Sequence, residues 1–298
     1  MSGGGRQNWR NLQPVTRREL LDDSEHETDS LQRATEIEHY LSEKLKEIND
    51  LDYSAIHSHR EMIQKALRKE FDIESMNFAG SHARHTDVVE HSDIDLLATF
   101  RDKSELPDSS DESIVLLAHR LQARLPKSTI EIGKMAVSVK FSDGLEVQVL
   151  PAFREGNAFK IPDVDSSGWK SSNPAAHSRA LTATNGRCNG QLIPTIKLAK
   201  ELFRRNGIEL KSYHVESMAL KAFAHYSDAR SNRVMLRHLL SSSKTLVRQP
   251  IADQAGQTSD VSSYLSPQDR TQLSTKLANL ETRLESDLLG NWSDSFDA

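Results

Sequence analysis

Asn77-Phe78-Ala79-Gly80-Ser81-His82-Ala83-Arg84-His85-Thr86, followed after a short gap by Ser92-Asp93-Ile94-Asp95-Leu96-Leu97, is the stretch on which the reading of this chain turns. An apolar run ends in Gly80-Ser81. Glycine lets a backbone come close to a phosphate, and a serine can open a helix whose free N–H groups attract anions. Further along, Asp93 and Asp95 alternate with Ile94 and Leu96. In a strand that period of two sends both carboxylates to one face and the apolar residues into a core. Two adjacent carboxylates repel unless a cation lies between them, and a hard dication such as Mg2+ that also grips phosphates meets that need. The pattern is that of metal-assisted phosphoryl or nucleotidyl transfer.

At these residues the chain resembles the nucleotidyltransferase superfamily of polymerase beta, the CCA-adding enzymes and the oligoadenylate and cyclic GMP-AMP synthases. Its signature is Gly-Ser, a spacer, then Asp-x-Asp. Leu145-Glu146-Val147-Gln148-Val149-Leu150-Pro151-Ala152-Phe153 is similar to the strand that carries the third carboxylate there. Pro194-Thr195-Ile196-Lys197-Leu198-Ala199-Lys200 and Leu210-Lys211-Ser212-Tyr213-His214-Val215-Glu216-Ser217 resemble the helical half of one branch. That branch is the bacterial cyclic GMP-AMP synthase-like nucleotidyltransferases (CD-NTases, SMODS type), which make cyclic di- and oligonucleotide signals in antiphage (CBASS) defence. The likeness runs from about Leu31 to the C-terminus and is strongest between Gly80 and Glu216. It implies an α+β fold: a polymerase beta-like nucleotidyltransferase lobe with a mixed sheet, then a helical lobe, with the active site in the cleft between. The corresponding domains are 1–165, the core with N-terminal helices, and 166–298, the helical lobe.

The resemblance implies that Gly80 and Ser81 hold the donor triphosphate. Asp93 and Asp95 would bind Mg2+ or Mn2+, to activate the attacking hydroxyl and steady the leaving pyrophosphate. Lys200, Ser212 and Tyr213 match positions that contact donor phosphates and base in the resembled synthases, and Asp253, in a polar loop, is a further position for base contact. The third carboxylate is where the sequence departs from the pattern. Gln148 stands where the family usually has Asp, and a neutral amide neither attracts a second metal strongly nor takes a proton. Glu146, on the same strand face, is the acid that could take over; otherwise it is a surface acid and the site works with two carboxylates or not at all. Lys197, Lys200 and Lys211 read equally as an exposed helical face and Tyr213 as a core aromatic. His57, His59, His82, His85 and His91 read as polar surface rather than metal ligands.

The function these residues favour is joining nucleoside triphosphates into a cyclic di- or oligonucleotide second messenger. The effector then acts through the product, and an accessory regulatory protein is a further partner. Two alternatives stand: a nucleotidyltransferase acting on RNA or protein, and, because of Gln148, a nucleotide-binding pseudoenzyme.

At 298 residues, with 37% hydrophobic and 27% charged side chains, the composition is that of a folded soluble protein and excludes the disordered and membrane classes. No apolar run approaches a spanning length, and Met1-Ser2-Gly3-Gly4-Gly5 lacks the apolar core of a signal peptide. The single Cys188 excludes an intrachain disulfide and a multi-cysteine zinc site. The expected compartment is the cytoplasm. A net charge of −5 and a pI of about 6.2 argue against a nucleic-acid substrate, which calls for a basic track. Arg6, Arg10, Arg17 and Arg18 read as a solvated N-terminal arm.

Along the chain, apolar residues three or four apart predict a helix over 31–48, and a second is expected over 54–70. Strands are expected over 74–79 and 94–100, a covering helix over 113–125, and a hairpin from Met135 to Val149 turning at Ser142-Asp143-Gly144. Residues 157–172 read as an irregular crossing between lobes. Asn173-Pro174 opens a run of helices, about 174–184, 194–205, 213–228 and 232–240. After a polar loop over 248–263, Ser266 caps a last helix striped by Leu273, Leu277, Leu280 and Leu284.

Overall fold

The computed structural model describes residues 17–89, 93–254 and 260–298, with helix backbone alone over 17–26. Two helices come first, α1 (Arg17–Ile48) and α2 (Tyr53–Leu67). A sheet region follows: β1 (Ile73–Phe78), the single turn α3 (Gly80–Ala83), β2 (Ile94–Phe100), α4 (Ser110–Arg124), β3 (Thr129–Ile132), β4 (Val137–Lys140), β5 (Glu146–Glu155), β6 (Ala158–Pro162) and β7 (Trp169–Ser172). Helices then complete the chain: α5 (Pro174–Arg187), α6 (Leu192–Arg205), α7 (Ser212–Ala222), α8 (Asn232–Leu246), α9 (Pro267–Glu285) and α10 (Leu289–Asp297).

The strands run β1-β2-β5-β4-β3, with β6 joining β5 to β7. The sheet is mixed because β2 and β5 are parallel while their other neighbours are antiparallel. Alternation decides its two faces. Ile94, Leu96 and Ala98 of β2 and Val147 and Val149 of β5 pack with Ile56 and Ile63 of α2 and Leu117 and Leu121 of α4. The opposite face carries the acids. There Leu97, Ala152 and Ile161 form a small apolar floor, with Met135 and Leu150 packed beside it.

A separate core joins the helices, with Leu202, Met218, Leu239, Leu277 and Trp292 at its centre. Ile37, Leu41 and Ile48 of α1 are buried in this core, whereas α2 serves the sheet. The N-terminal helix therefore reaches across to the far lobe. Asn173 accepts from the Ala176 amide ahead of Pro174, and Ser266 with Asp269 forms a reciprocal capping box at α9.

The expected irregular crossing over 157–172 is instead a pair of short strands, β6 and β7. Lysines, serines and prolines gave them no alternation to read. They are held by backbone pairing and by Trp169, which packs edge-on against Phe153 and donates to the Asp108 carbonyl. The strand β3 and the terminal helix α10 were likewise not among the expected elements.

Candidate active site

The parallel register of β2 and β5 places Asp95 opposite Gln148, and Asp93 stands just before β2 on the same face. Against these acids lies the turn from β1. The Ala79 amide donates to the Asp95 carbonyl at 2.8 Å, and Gly80 follows with φ +57°. A Cβ at position 80 would stand 1.8 Å from Asp95 Oδ2. Two independent reasons thus call for glycine: a left-handed backbone and the lack of room beside the carboxylate. Ser81, buried, is the second residue of the α3 turn that Gly80 opens.

These residues form one wall of a cleft of about 660 Å³ between the sheet and the helices. Leu97, Met135, Leu150 and Ile161 floor it. The other wall carries His177 of α5, Ser212 and Tyr213 at the start of α7, and Asp253. Tyr213 hydroxyl donates to Asp253, and its ring lies 4.3 Å from that of His177. The structure therefore brings together Gly80, Ser81, Asp93, Asp95, Ser212, Tyr213 and Asp253.

Burial and the neighbouring Asp93 push the Asp95 carboxyl up to about 6, against the opposing fields of Arg84 and His82. Asp93 is raised as well, by burial and by the charge of Glu146, while a hydrogen bond from Gln148 opposes the shift. Both acids are thus short of positive charge. No group of three or more His, Cys, Asp and Glu side chains able to hold a metal occurs among the described residues. That donor set suits Mg2+, which is held by one or two carboxylates together with substrate phosphates rather than by an all-protein cage. Asp93 and Asp95 are the residues that would hold it.

At the third position the two readings separate in space. The Gln148 amide lowers the Asp93 carboxyl, whereas the charge of Glu146 raises it. The Glu146 carboxylate lies 3.8 Å from Lys140 on the neighbouring strand. In the strand register it is Gln148, not Glu146, that stands opposite Asp95.

Lys200 stands apart from the cleft and is not on an exposed helical face either. Its ammonium is buried and donates to the Thr86 carbonyl at 2.8 Å and to Glu216 at 2.9 Å. Glu216, fully buried on α7, also accepts from Arg84 Nε at 2.7 Å and from His177 Nε2 at 3.0 Å. Burial alone would raise the Glu216 carboxyl, but Lys200, His177 and Arg84 hold it well below the usual carboxylate range. An ionised Glu216 only accepts, so His177 Nε2 carries the hydrogen. The sequence reading missed Glu216, Arg84 and His177 as members of the site. A lone acid in the run Val215–Leu220, buried throughout, was the available signal for the first.

Lys197 is buried too, bonded to Asn49 at 2.6 Å and 3.5 Å from Asp87. His82, expected at the surface, is buried with Nδ1 2.7 Å from Asp87 and its ring 4.5 Å from Phe78. A packed loop that must seat Asp87 needed a partner inside. His85 is exposed and holds φ +58°, a conformation that favours glycine. His91, with Ser92, lies outside the described residues, as do Arg6 and Arg10 and the side chains of Arg17 and Arg18. No helix among the described residues is long and apolar enough to cross a membrane.

Comparison with known proteins points the same way. Residues 35–185 match the Second Messenger Oligonucleotide or Dinucleotide Synthetase domain. A cyclic AMP-AMP-AMP synthase from an Acinetobacter strain is 24% identical over 213 residues, 70% of this chain and 58% of that protein. The match thus spans less than two thirds of that relative. In fold, the chain is similar to E. coli MS115-1 CdnC solved with ATP, at TM-score 0.72 and 15% identity over 87% of this chain and 98% of that one. The same E. coli protein in complex with HORMA-deltaN superposes with TM-score 0.72 and 15% identity, over 87% of this chain and 97% of that one.

Proposed function

The chain belongs to the second messenger oligonucleotide or dinucleotide synthetase family, the SMODS branch of the CD-NTases, and from that premise we propose that it joins nucleoside triphosphates into a cyclic di- or oligonucleotide, releasing pyrophosphate at each step. One observation carries the reading. The acid pair Asp93 and Asp95 and the Gly80-Ser81 turn form the same wall of one cleft, facing Ser212, Tyr213 and Asp253. Magnesium or manganese held by the two aspartates would supply charge neutralisation for the attacking and leaving oxygens. The protein's own part is to seat the triphosphate at the Gly80-Ser81 turn, to set the Gln148 amide beside the acid pair, and to flank the base with Tyr213 and Asp253. Domains at 1–165 and 166–298 go with this reading, α1 crossing to pack on the second.

We place the activity in the cytoplasm, in antiphage signalling, with an effector that responds to the product. The relative complexed with HORMA-deltaN supports the expectation of an accessory regulatory partner. Gln148 keeps the pseudoenzyme as a second reading. Labelled triphosphates given to the full chain with Mg2+ or Mn2+ decide the matter. A phosphatase-resistant product is expected, because a ring has no terminal phosphate. Linear tails on added RNA, or labelled protein, would replace this reading with a polymer-directed transferase; triphosphate binding with no turnover under any condition would replace it with the pseudoenzyme.

A further inference from the structure

We propose that Arg84 is a cation that contacts the triphosphate of a bound nucleotide, and that Glu216 is the positioning residue that holds it there. The proposal rests on the nucleotide-binding reading of the cleft. Arg84 closes the α3 turn, so it follows Gly80 and Ser81 by one helical turn and emerges beside them. It lines the cleft together with Asp93 and Asp95. Lys200, by contrast, spends its hydrogen bonds on Thr86 and Glu216.

The charges around Glu216 are unequal. Arg84 and Lys200, each with a side chain 8% exposed, share this one carboxylate, while Lys197 is matched by Asp87. Arg84 also faces the acid pair, since it lines the same cleft as Asp93 and Asp95 and its field opposes the rise of the Asp95 carboxyl. Of the two cations on Glu216, Arg84 is the one that lines the cleft beside the acid pair. Three constraints fix the guanidinium: its Nε donates to Glu216, its central carbon lies 5.6 Å from the centroid of the Tyr213 ring, and its backbone closes the Gly80 turn. With Nε committed to Glu216, the terminal nitrogens are the part of the fork that suits phosphate oxygens.

Calorimetric binding of a non-hydrolysable nucleoside triphosphate, and of the matching di- and monophosphate, to the full chain with Mg2+ tests this. Arg84→Ala should weaken the triphosphate by about tenfold or more and change the monophosphate little, the loss of a charge-assisted contact. Arg84→Lys should recover part of the loss, since a point charge lacks the fork. Glu216→Gln should lower the preference for triphosphate over monophosphate; a Glu216 that served stability alone would leave that ratio at the parent value. Equal weakening of all three ligands by Arg84→Ala, or none, overturns the proposal. If Arg84→Ala does not fold, Arg84→Lys carries the comparison, and parent-like discrimination in it overturns the proposal equally. A parent that binds no triphosphate fails the nucleotide reading itself, before Arg84 is tested.

Discussion

Two clusters of buried charge face each other across this molecule, and they are built on opposite plans. On the sheet, Asp93 and Asp95 crowd like charge together, and burial and mutual repulsion raise both carboxyls. On the helices, Glu216 is surrounded by Arg84, Lys200 and His177 and held well below the ordinary range. The first cluster leaves its deficit to be filled from solution. The second fills its own. Under the proposed function an incoming cation would meet a destabilised pair, while the lock between the Gly80 turn and the helical lobe is satisfied by the protein alone.

Removing either aspartate is the most direct way to break the comparison. Asp95→Asn should cost turnover on the order of a thousandfold, the several kcal/mol that metal-assisted charge stabilisation supplies. The same change should raise the melting temperature at pH 7. The sign follows from the raised carboxyl: ionised Asp95 costs stability in the folded state at neutral pH, and the cost disappears as pH falls through about 6 toward the unfolded value. A melting difference that fades on acidification is expected; a variant less stable than the parent at pH 7 would show that the pair is structurally satisfied.

Glu216→Ala should do the reverse, costing about 3–5 kcal/mol of stability by stranding Arg84 and Lys200. Urea unfolding measures it, and a loss below about 1 kcal/mol would mean that water reaches the cluster. Acid should loosen this same lock. Stability from a depressed carboxyl is present above its unfolded value and is lost as pH falls through the folded one, so the two clusters respond to acidification with opposite signs.

A smaller effect sharpens the sheet side. Gln148 stands opposite Asp95 in register and its amide lowers the Asp93 carboxyl, whereas the charge of Glu146 raises it, so Gln148→Ala should reduce turnover by about tenfold and Glu146→Ala by less. If Glu146→Ala instead costs as much as losing an aspartate, the glutamate is the third carboxylate and the amide is incidental.

The difference between the clusters also explains what the sequence could disclose. Asp93 and Asp95 are two residues apart on one strand, and Gly80-Ser81 is close by, so a local pattern carried them, as it carried the valines of the β4–β5 hairpin. The Glu216 cluster has no local pattern. Its members come from α3, the loop at Thr86, α5, α6 and α7, and only the packing of lobes makes them neighbours. Lys200 shows the consequence: its position on a helix with other lysines suggested either solvent or phosphate, and tertiary burial gave it a carboxylate instead. His82 and the short strands β6 and β7 escaped for the same reason, their fate being set by partners distant in sequence.

The seat of Gly80 against Asp95 has an evolutionary corollary. With 1.8 Å between a would-be Cβ and the carboxylate oxygen, the two positions form an epistatic pair: a side chain gained at 80 displaces the Asp95 carboxylate from its seat, and shortening residue 95 to make room removes the acid. Every single-step path through this pair passes a defective intermediate. Change at either position is therefore coupled to the other in a way that change on the exposed surface is not.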